Sequence, residues 1–381
     1  MKAGLFPYVA ITTVALSLAA VQTAVQAAPG QAPVAAPQAA GPKPWPDADA
    51  LKARQLAAEG RPLFATETPL AFTLAADFKA VNRDRNPNST KTFPATLTVA
   101  RADGSPVAIP VQIRTRGHSR RLQQTCGFAP LRIEFDAEKT AGTVFEGHRS
   151  LKLGTHCRDV DLYEQYTPRE YAVYRIFNLL TPRSFRARLA DARYVDAATQ
   201  KPVASRLGLF IDDDDDVARR MGGRITNAQK VTFRRVDAET ITLLTLFEYM
   251  IGNTDVSMYV QHNIRIVETP SNVLYPVPYD FDYSGLVNAR YAIPAKMLNL
   301  TSVLERSYMG PCRTAAEFEP AFARLRAVRE QVLAVFDTVP GLDAGYKKDA
   351  QKYIAKFYEI IDKPGDAKRA FIDGCNARAG M

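Results

Sequence analysis

Two kinds of hydrophobic spacing divide the chain. Up to about residue 211 the apolar residues come mostly in short runs that alternate or are rich in β-branched side chains, the pattern of strands. Leu70 to Leu74, Ala95 to Ala100, Val107 to Arg116, Pro130 to Phe135, Ser150 to Leu153, Ala187 to Val195 and Ser205 to Ile211 all read this way. Asp103-Gly104 is a hairpin turn, and the polar stretch Asn82 to Thr92 reads as a loop. One helix interrupts these strands. Pro168 to Leu180 opens with Thr167 and Glu170 spaced as a capping box and with Pro168 in the first turn. Beyond residue 211 the spacing turns helical. Leu243, Leu244, Phe247, Met250 and Ile251 recur at three- and four-residue steps, and Gly252-Asn253 ends the helix. Ile264, Ile266 and Val273 to Val277 supply two more strands around a Pro270 to Asn272 turn. Residues 296–381 are expected to be mainly helical, with core stripes at Phe318, Phe322, Leu325, Val328 and Val332, at Tyr346 to Ile361 and at Ala367 to Cys375. The expected class is α+β.

Residues 1–28 read as a signal peptide. Lys2 is its basic start, Val9 to Ala20 its apolar run, and Val25-Gln26-Ala27 a small-x-small cleavage site. The run is too short and interrupted to span a membrane, and no later stretch is long enough. The mature protein is therefore expected to be exported, to a periplasm or beyond. Residues 29–60, with Ala, Pro, Gly and Gln dominating up to Pro46, are expected to be a flexible linker. The net charge is +9, and removal of residues 1–28, which hold Lys2 and no acid, leaves +8. That excess favours anionic ligands, but no basic run is interleaved with aromatics, which argues against nucleic acid. Four cysteines in an exported chain suggest two disulfides. Of the three pairings, Cys126–Cys157 and Cys312–Cys375 are favoured because each ties off a local region. There is no CxxC spacing for zinc, and the four histidines have no metal-ligand spacing.

The chemistry-bearing residues follow Gly252. Magnesium bound with a nucleotide takes one or two carboxylates with an amide and leaves places for water and phosphate. A separate carboxylate must orient the attacking hydroxyl. Asp255, Asn263 and Asp280 are the right types, and the hairpin between Asn263 and Asp280 can bring them to one end of a sheet. Asp282 either shares the metal or caps the next segment. The plainer reading is two solvated turns. Upstream, Arg114 to Arg121 is a basic turn around Gly117, suited to cradling phosphates or to closing a solvated hairpin end. Asp212 to Asp216 opens a helix at Val217 to Met221, where acids complement the helix dipole, and a metal role for the run is the lesser reading. Arg132 and Lys152 are the basic residues of two neighbouring strands. Lys152 is expected to pair with Glu170, unless Glu170 only closes its capping box.

In order, these pieces resemble the spore-coat CotH kinase family. The resemblance is carried by Arg116-Gly117-His-Ser119-Arg120, by Phe145-Glu-Gly147 leading to Leu151-Lys152-Leu153, and by Arg169-Glu170. It continues through Gly208 to Asp212, Asp255 with Asn263, and Pro278-Tyr-Asp280-Phe-Asp282. The Asn-Thr-Asp turn with its later Tyr-Asp also resembles the HipA-type kinases. The resemblance implies a two-lobed protein-kinase-like fold, with a β-rich N-lobe at 61–208, a mainly helical C-lobe at 209–381, and ATP between them. It implies Asp255 as catalytic base or hydroxyl-orienting residue. Asn263 and Asp280, with Asp282, would hold Mg2+ or Mn2+, and Lys152 with Glu170 would face the phosphates beside Arg116 and Gly117. Phe210, Ile211 and Asp212 would form the hinge beside adenine. Whether Arg132 or Lys152 is the nucleotide cation stays open. The expected function is phosphoryl transfer from ATP to an unknown acceptor. The alternatives are a pseudokinase scaffold that only binds and, more remotely, a metal-dependent hydrolase.

Overall fold

The alternating strands of the first half close on themselves. The protein is described by a computed structural model over residues 44–226, 228–373 and 375. The expected signal peptide and the first part of the expected linker lie outside these residues. Seven strands, β1 Leu70–Ala76, β2 Phe93–Ala100, β3 Pro106–Thr115, β4 Leu131–Phe135, β5 Ser150–Gly154, β6 Ala187–Asp196 and β7 Pro202–Ile211, form a closed barrel in the order β1-β2-β3-β4-β5-β7-β6. Every pairing is antiparallel except that of β6 with β1. Closure leaves no free sheet edge. The inward set, including Leu74, Leu97, Ile109, Ile113, Ile133, Leu151 and Phe210, is fully buried.

Helices surround and extend this barrel. They are α1 Ala48–Glu59, α2 Phe78–Arg83, α3 Asp161–Glu164 and α4 Tyr166–Leu180, then α5 Asp214–Arg220 and α6 Ala238–Ile251. A three-stranded sheet follows, β8 Arg224–Ile225, β9 Ile264–Glu268 and β10 Leu274–Pro278, in the order β10-β9-β8. The chain ends in α7 Ala315–Ala327, α8 Arg329–Thr338, α9 Ala344–Asp362, α10 Pro364–Ala367 and a π-helical turn at Lys368–Asp373. The second core takes in α4, α6 and these last helices. Eleven of the fifteen residues of α4 are buried, because one side meets β6 and β7 and the other meets the helical part.

The mixed α and β class is as expected, and several expectations need correction. The linker expected through residue 60 contains α1. Asp47 caps it by accepting from the Ala50 N–H at 2.7 Å, and its Ala, Leu, Lys, Arg and Gln are good helix formers. Arg186 donates to the carbonyls of Ala58 and Glu59 at its other end, both at 2.9 Å. The capping box at Thr167 does not form, because α3 runs nearly straight into α4 and Thr167 lies inside the helix. Among the described residues, the stretch from Asn299 to Thr314 has no regular structure, and helix resumes at Ala315. The chain from Pro46 onward packs as one compact unit, and the expected boundary at residue 208 falls inside β7. The two lobes are therefore not separate bodies. Both expected disulfides are present, Cys126–Cys157 with Cα atoms 4.5 Å apart and Cys312–Cys375 at 5.3 Å.

Gly252 is a conformational requirement. It ends α6 with φ of 68°, and a Cβ there would lie 2.1 Å from the Tyr353 hydroxyl and 3.2 Å from the Val303 carbonyl oxygen. Gly252→Ala should cost about 2 kcal/mol or more, from the left-handed conformation and the clash together. Urea unfolding that showed no loss would contradict this.

Candidate functional site

The turn after β3 is built to stay put. Its base closes where the Arg116 N–H donates to the Pro130 carbonyl at 2.9 Å. Gly117 adopts φ of 84° with open space where a Cβ would sit, so the need for glycine is conformational. Arg85 donates to the carbonyls of Arg121, Cys126 and Gly127 at 3.0, 2.9 and 2.8 Å. The buried Arg120 donates to the Thr155 carbonyl at 2.5 Å, and the Cys126–Cys157 disulfide ties the far end of the loop to the chain after β5.

The opposite wall comes from the turn after α6 and the β9–β10 hairpin. The Asn253 side chain accepts from the Asp255 N–H at 3.0 Å. Asn263 precedes β9 with φ of 55°, and its amide nitrogen donates to the Asp255 carbonyl at 2.8 Å and to Asp255 Oδ2 at 3.0 Å. Asp255 Oδ1 meets His262 Nε2 at 3.0 Å, and that hydrogen bond raises the His262 pKa. Asp280 follows β10 with φ of 65°, and its N–H donates to the Tyr174 hydroxyl at 2.9 Å. Gln261 at φ of 51° makes three non-glycine residues of this wall in the left-handed region, a conformation that asparagine and aspartate adopt more readily than most side chains.

These walls enclose a cavity of about 570 Å3. Arg116, Gly117, Lys152, Asp255, Asn263, Asp280 and Asp282 all line it. Glu170, Ile211 and Asp212 do not. A larger cavity of about 790 Å3 lies beside α1 and α4, but none of the site residues expected from the sequence reaches it. The smaller one has the relevant chemistry. Six cationic side chains face it (Arg114, Arg116, Arg120, Arg132, Lys152 and Arg265) against four carboxylates (Asp214, Asp255, Asp280 and Asp282). The excess favours an anion.

Three of the cations form a row across the barrel wall. Arg114 stands opposite Arg132, and Arg132 opposite Lys152. Like charges placed so repel, and each has its own acid: Glu134 at 3.0 Å, Asp213 at 2.5 Å and Asp214 at 2.5 Å respectively. This accounts for much of the acid run. Asp212 binds Arg186 and Arg220, Asp214 also binds Arg265, and Asp216 binds Arg61, His148 and Arg219. Burial opposes ionisation of Asp214, but Lys152 and Arg265 outweigh it and hold this carboxyl well below the usual range. Burial lowers the Lys152 pKa, and Asp214 pulls it back toward the charged form.

The expected Lys152–Glu170 pair is not formed. Lys152 is committed to Asp214 and to the Asp212 carbonyl, the latter at 2.9 Å. Glu170 lies 4% exposed near Asp282 and Arg120, and its Oε1 has no hydrogen-bond partner. Its capping role fails as well, since Thr167 is inside α4. Burial first, then Asp282 and Asp280, push the Glu170 carboxyl up, while burial and Asp280 push Asp282 up. A carboxyl raised in the folded chain binds its proton more tightly there. That stabilisation is complete below its unfolded pKa and is lost as pH rises through its folded pKa. Glu170→Gln is neutral throughout. Between pH 5 and neutrality wild-type stability should fall more steeply than the variant's, by up to about 1.4 kcal/mol per pH unit. Parallel curves from urea unfolding would contradict this.

The sequence reading missed Asp214, Arg265 and His262 as parts of this wall. Arg265 had a signal, since it points away from the apolar face between Ile264 and Ile266. Asp214 was hidden in a run whose acids look alike. Among the described residues no group of three or more His, Cys, Asp or Glu is placed to hold a metal ion. Two carboxylates and an amide fall outside that count, and they are the smaller protein share that magnesium takes when phosphate and water complete it.

No family model matches the chain and no curated protein matches it. A search of solved structures finds similarity to the crystal structure of a Helicobacter pylori proinflammatory kinase, CtkA. The TM-score is 0.34 at 11% identity, over 64% of this chain and 88% of that one. At that level the likeness is too slight to assign a fold or an activity.

Proposed function

We propose that the cavity binds a metal–nucleotide and that the protein is an exported kinase-like enzyme transferring phosphate from ATP to a protein or small-molecule acceptor. One observation carries this reading. Asp255, Asn263, Asp280 and Asp282 line one cationic cavity with the pinned glycine turn, and Asn263 turns its NH2 toward Asp255. That leaves Asn263 Oδ1 as the amide atom available to a cation. Asp282 Oδ2 is buried without a hydrogen-bond partner, with Arg120 Nη1 at 3.8 Å. The donor set fits a divalent metal, Mg2+ or Mn2+, held by Asn263, Asp280 and Asp282. The metal would neutralise phosphate charge.

The chain's own residues supply the rest. Arg116 Nη2 lies 3.9 Å from Asp280, close enough to contact phosphate oxygens beside that carboxylate. Asp255 is partly exposed and would accept a hydrogen bond from the acceptor hydroxyl and orient it. The row of Arg114, Arg132 and Lys152 adds positive potential behind the phosphates. With no Glu170 partner, Lys152 is fixed by Asp214 instead. The expected signal peptide and the two disulfides suit export, and no described helix is long and apolar enough to cross a membrane.

A non-catalytic binding protein is the second reading. It is favoured by Lys152 and Arg132, which already have carboxylate partners and lose them if they turn to phosphate. Thermal unfolding, with a phosphate-transfer assay alongside, separates the two readings. Under the first, ATP with Mg2+ or Mn2+ raises the midpoint and neither component alone does so to the same extent. A midpoint unmoved by every nucleotide–metal combination leaves the second reading.

A further inference from the structure

Asp255 is held in place through a carboxyl two steps behind it. Glu248 lies in the last turn of α6 and is 4% exposed. Its Oε2 accepts from Asn253 Nδ2 at 2.9 Å. Asn253, 2% exposed, presents its Oδ1 to the Asp255 N–H at 3.0 Å. The Asn253 N–H donates back to the Glu248 carbonyl at 2.8 Å, which closes the turn on the helix end. The other flank is held where the Gly285 N–H donates to the Gly252 carbonyl at 3.0 Å.

The logic lies in the amide of Asn253. One side carries a donor and the other an acceptor, and the two are nearly the same shape. Only one orientation sends oxygen to the Asp255 N–H. An acceptor at Glu248 selects that orientation, because it binds the NH2. With an apolar residue there, nothing decides between the two, and the flipped amide would set NH2 against N–H. The surroundings of Glu248 include Ile241, Leu244, Met258 and Ile264, which an apolar side chain would suit without a desolvation penalty. The carboxyl is thus kept against a cost, and among the described residues its one side-chain hydrogen bond is to Asn253.

We propose that Glu248 is a positioning residue for Asp255, acting through the orientation of the Asn253 amide. This rests on the reading of Asp255 as the residue that orients the acceptor hydroxyl.

The test has one arm that needs no activity. Glu248→Gln keeps an acceptor for Asn253 Nδ2, and Glu248→Met does not. Asn253→Ala removes the link from the other side. Amide hydrogen exchange of the full mature chain, read by NMR without nucleotide, should show the Asp255 amide exchanging at least tenfold faster in Glu248→Met and in Asn253→Ala. Glu248→Gln should match wild type, and amides in the middle of α6, such as Phe247, should keep their protection in every variant. An Asp255 amide still protected in Asn253→Ala overturns the proposal, and this holds even if Glu248→Met does not fold. So does a Glu248→Gln protein that behaves like Asn253→Ala. In the second arm, phosphate transfer at saturating ATP should drop at least tenfold in Glu248→Met with KM for ATP unchanged, and recover in Glu248→Gln. If wild type transfers no phosphate while the exchange results hold, the functional reading fails and the positioning of Asp255 stands.

Discussion

Asp280→Asn is expected to abolish metal-dependent ATP binding and to leave the protein folded, while Asp255→Asn is expected to keep binding and lose turnover. The fold should tolerate the first change for a local reason. Asp280 sits at φ of 65°, a conformation asparagine adopts readily. Its side chain is partly exposed, and its contact to Arg116 at 3.9 Å is a long ion pair worth less than about 1 kcal/mol. What disappears is a full negative charge beside the proposed metal position, and a hard divalent cation depends on such charge. Asp255 differs. Its oxygens meet the side chains of His262 and Asn263, and an asparagine at 255 keeps an amide oxygen for the Asn263 NH2, while the Asp255 carbonyl holds that NH2 in either case, so Asn263 keeps its orientation. Its replacement should lower the transfer rate by roughly 10²–10⁴ and leave ATP affinity within a few-fold. Equal loss of binding in both variants would contradict this division of roles.

Breaking the Cys126–Cys157 disulfide should have the second-largest effect. Replacing both cysteines with serine releases a bond with a sequence separation of 31, and chain-entropy reasoning places the cost at roughly 3–4 kcal/mol. The bond also ties down the loop that carries Gly117 and Arg120. Some order should survive, because Arg85 still binds three carbonyls of that loop and the Phe128 N–H still donates to the residue 157 carbonyl. ATP affinity should therefore fall along with stability, as preorganisation of the glycine turn is lost. Urea unfolding and ATP titration on the double variant check both parts. Unchanged stability would mean that the arginine clamp alone fixes the loop.

The barrel strands were legible because each has one face against a dry interior, which writes alternation directly into residues such as Leu151 and Leu153. α6 was legible for the same reason at helical spacing. The disulfide pairings followed from locality. α1 was missed because its Ala-rich sequence has little apolar stripe, and what fixes it is distant in sequence: Arg186 at its C-terminal carbonyls and its packing on α5. The gathering of Arg116, Lys152, Asp255, Asn263, Asp280 and Asp282 on one cavity follows the order of the motifs along the chain. Their partners were not readable. Glu170 and Lys152 looked matched because one is an acid on a helix and the other a base on the preceding strand. The choice was made by Asp214, one of five adjacent aspartates, and nothing in the run marks which of them turns toward β5. Local pattern carries the elements, whereas ion-pair choice among like residues is decided by tertiary geometry.

The central claim is that this cavity binds ATP through a divalent metal. Calorimetric titration of the mature protein with ATP in the presence of Mg2+ or Mn2+, repeated with the metal chelated, tests it directly. The account predicts saturable one-site binding that requires the metal and is lost in Asp280→Asn. No heat of binding with any nucleotide and either metal, from a protein shown to be folded, would contradict it.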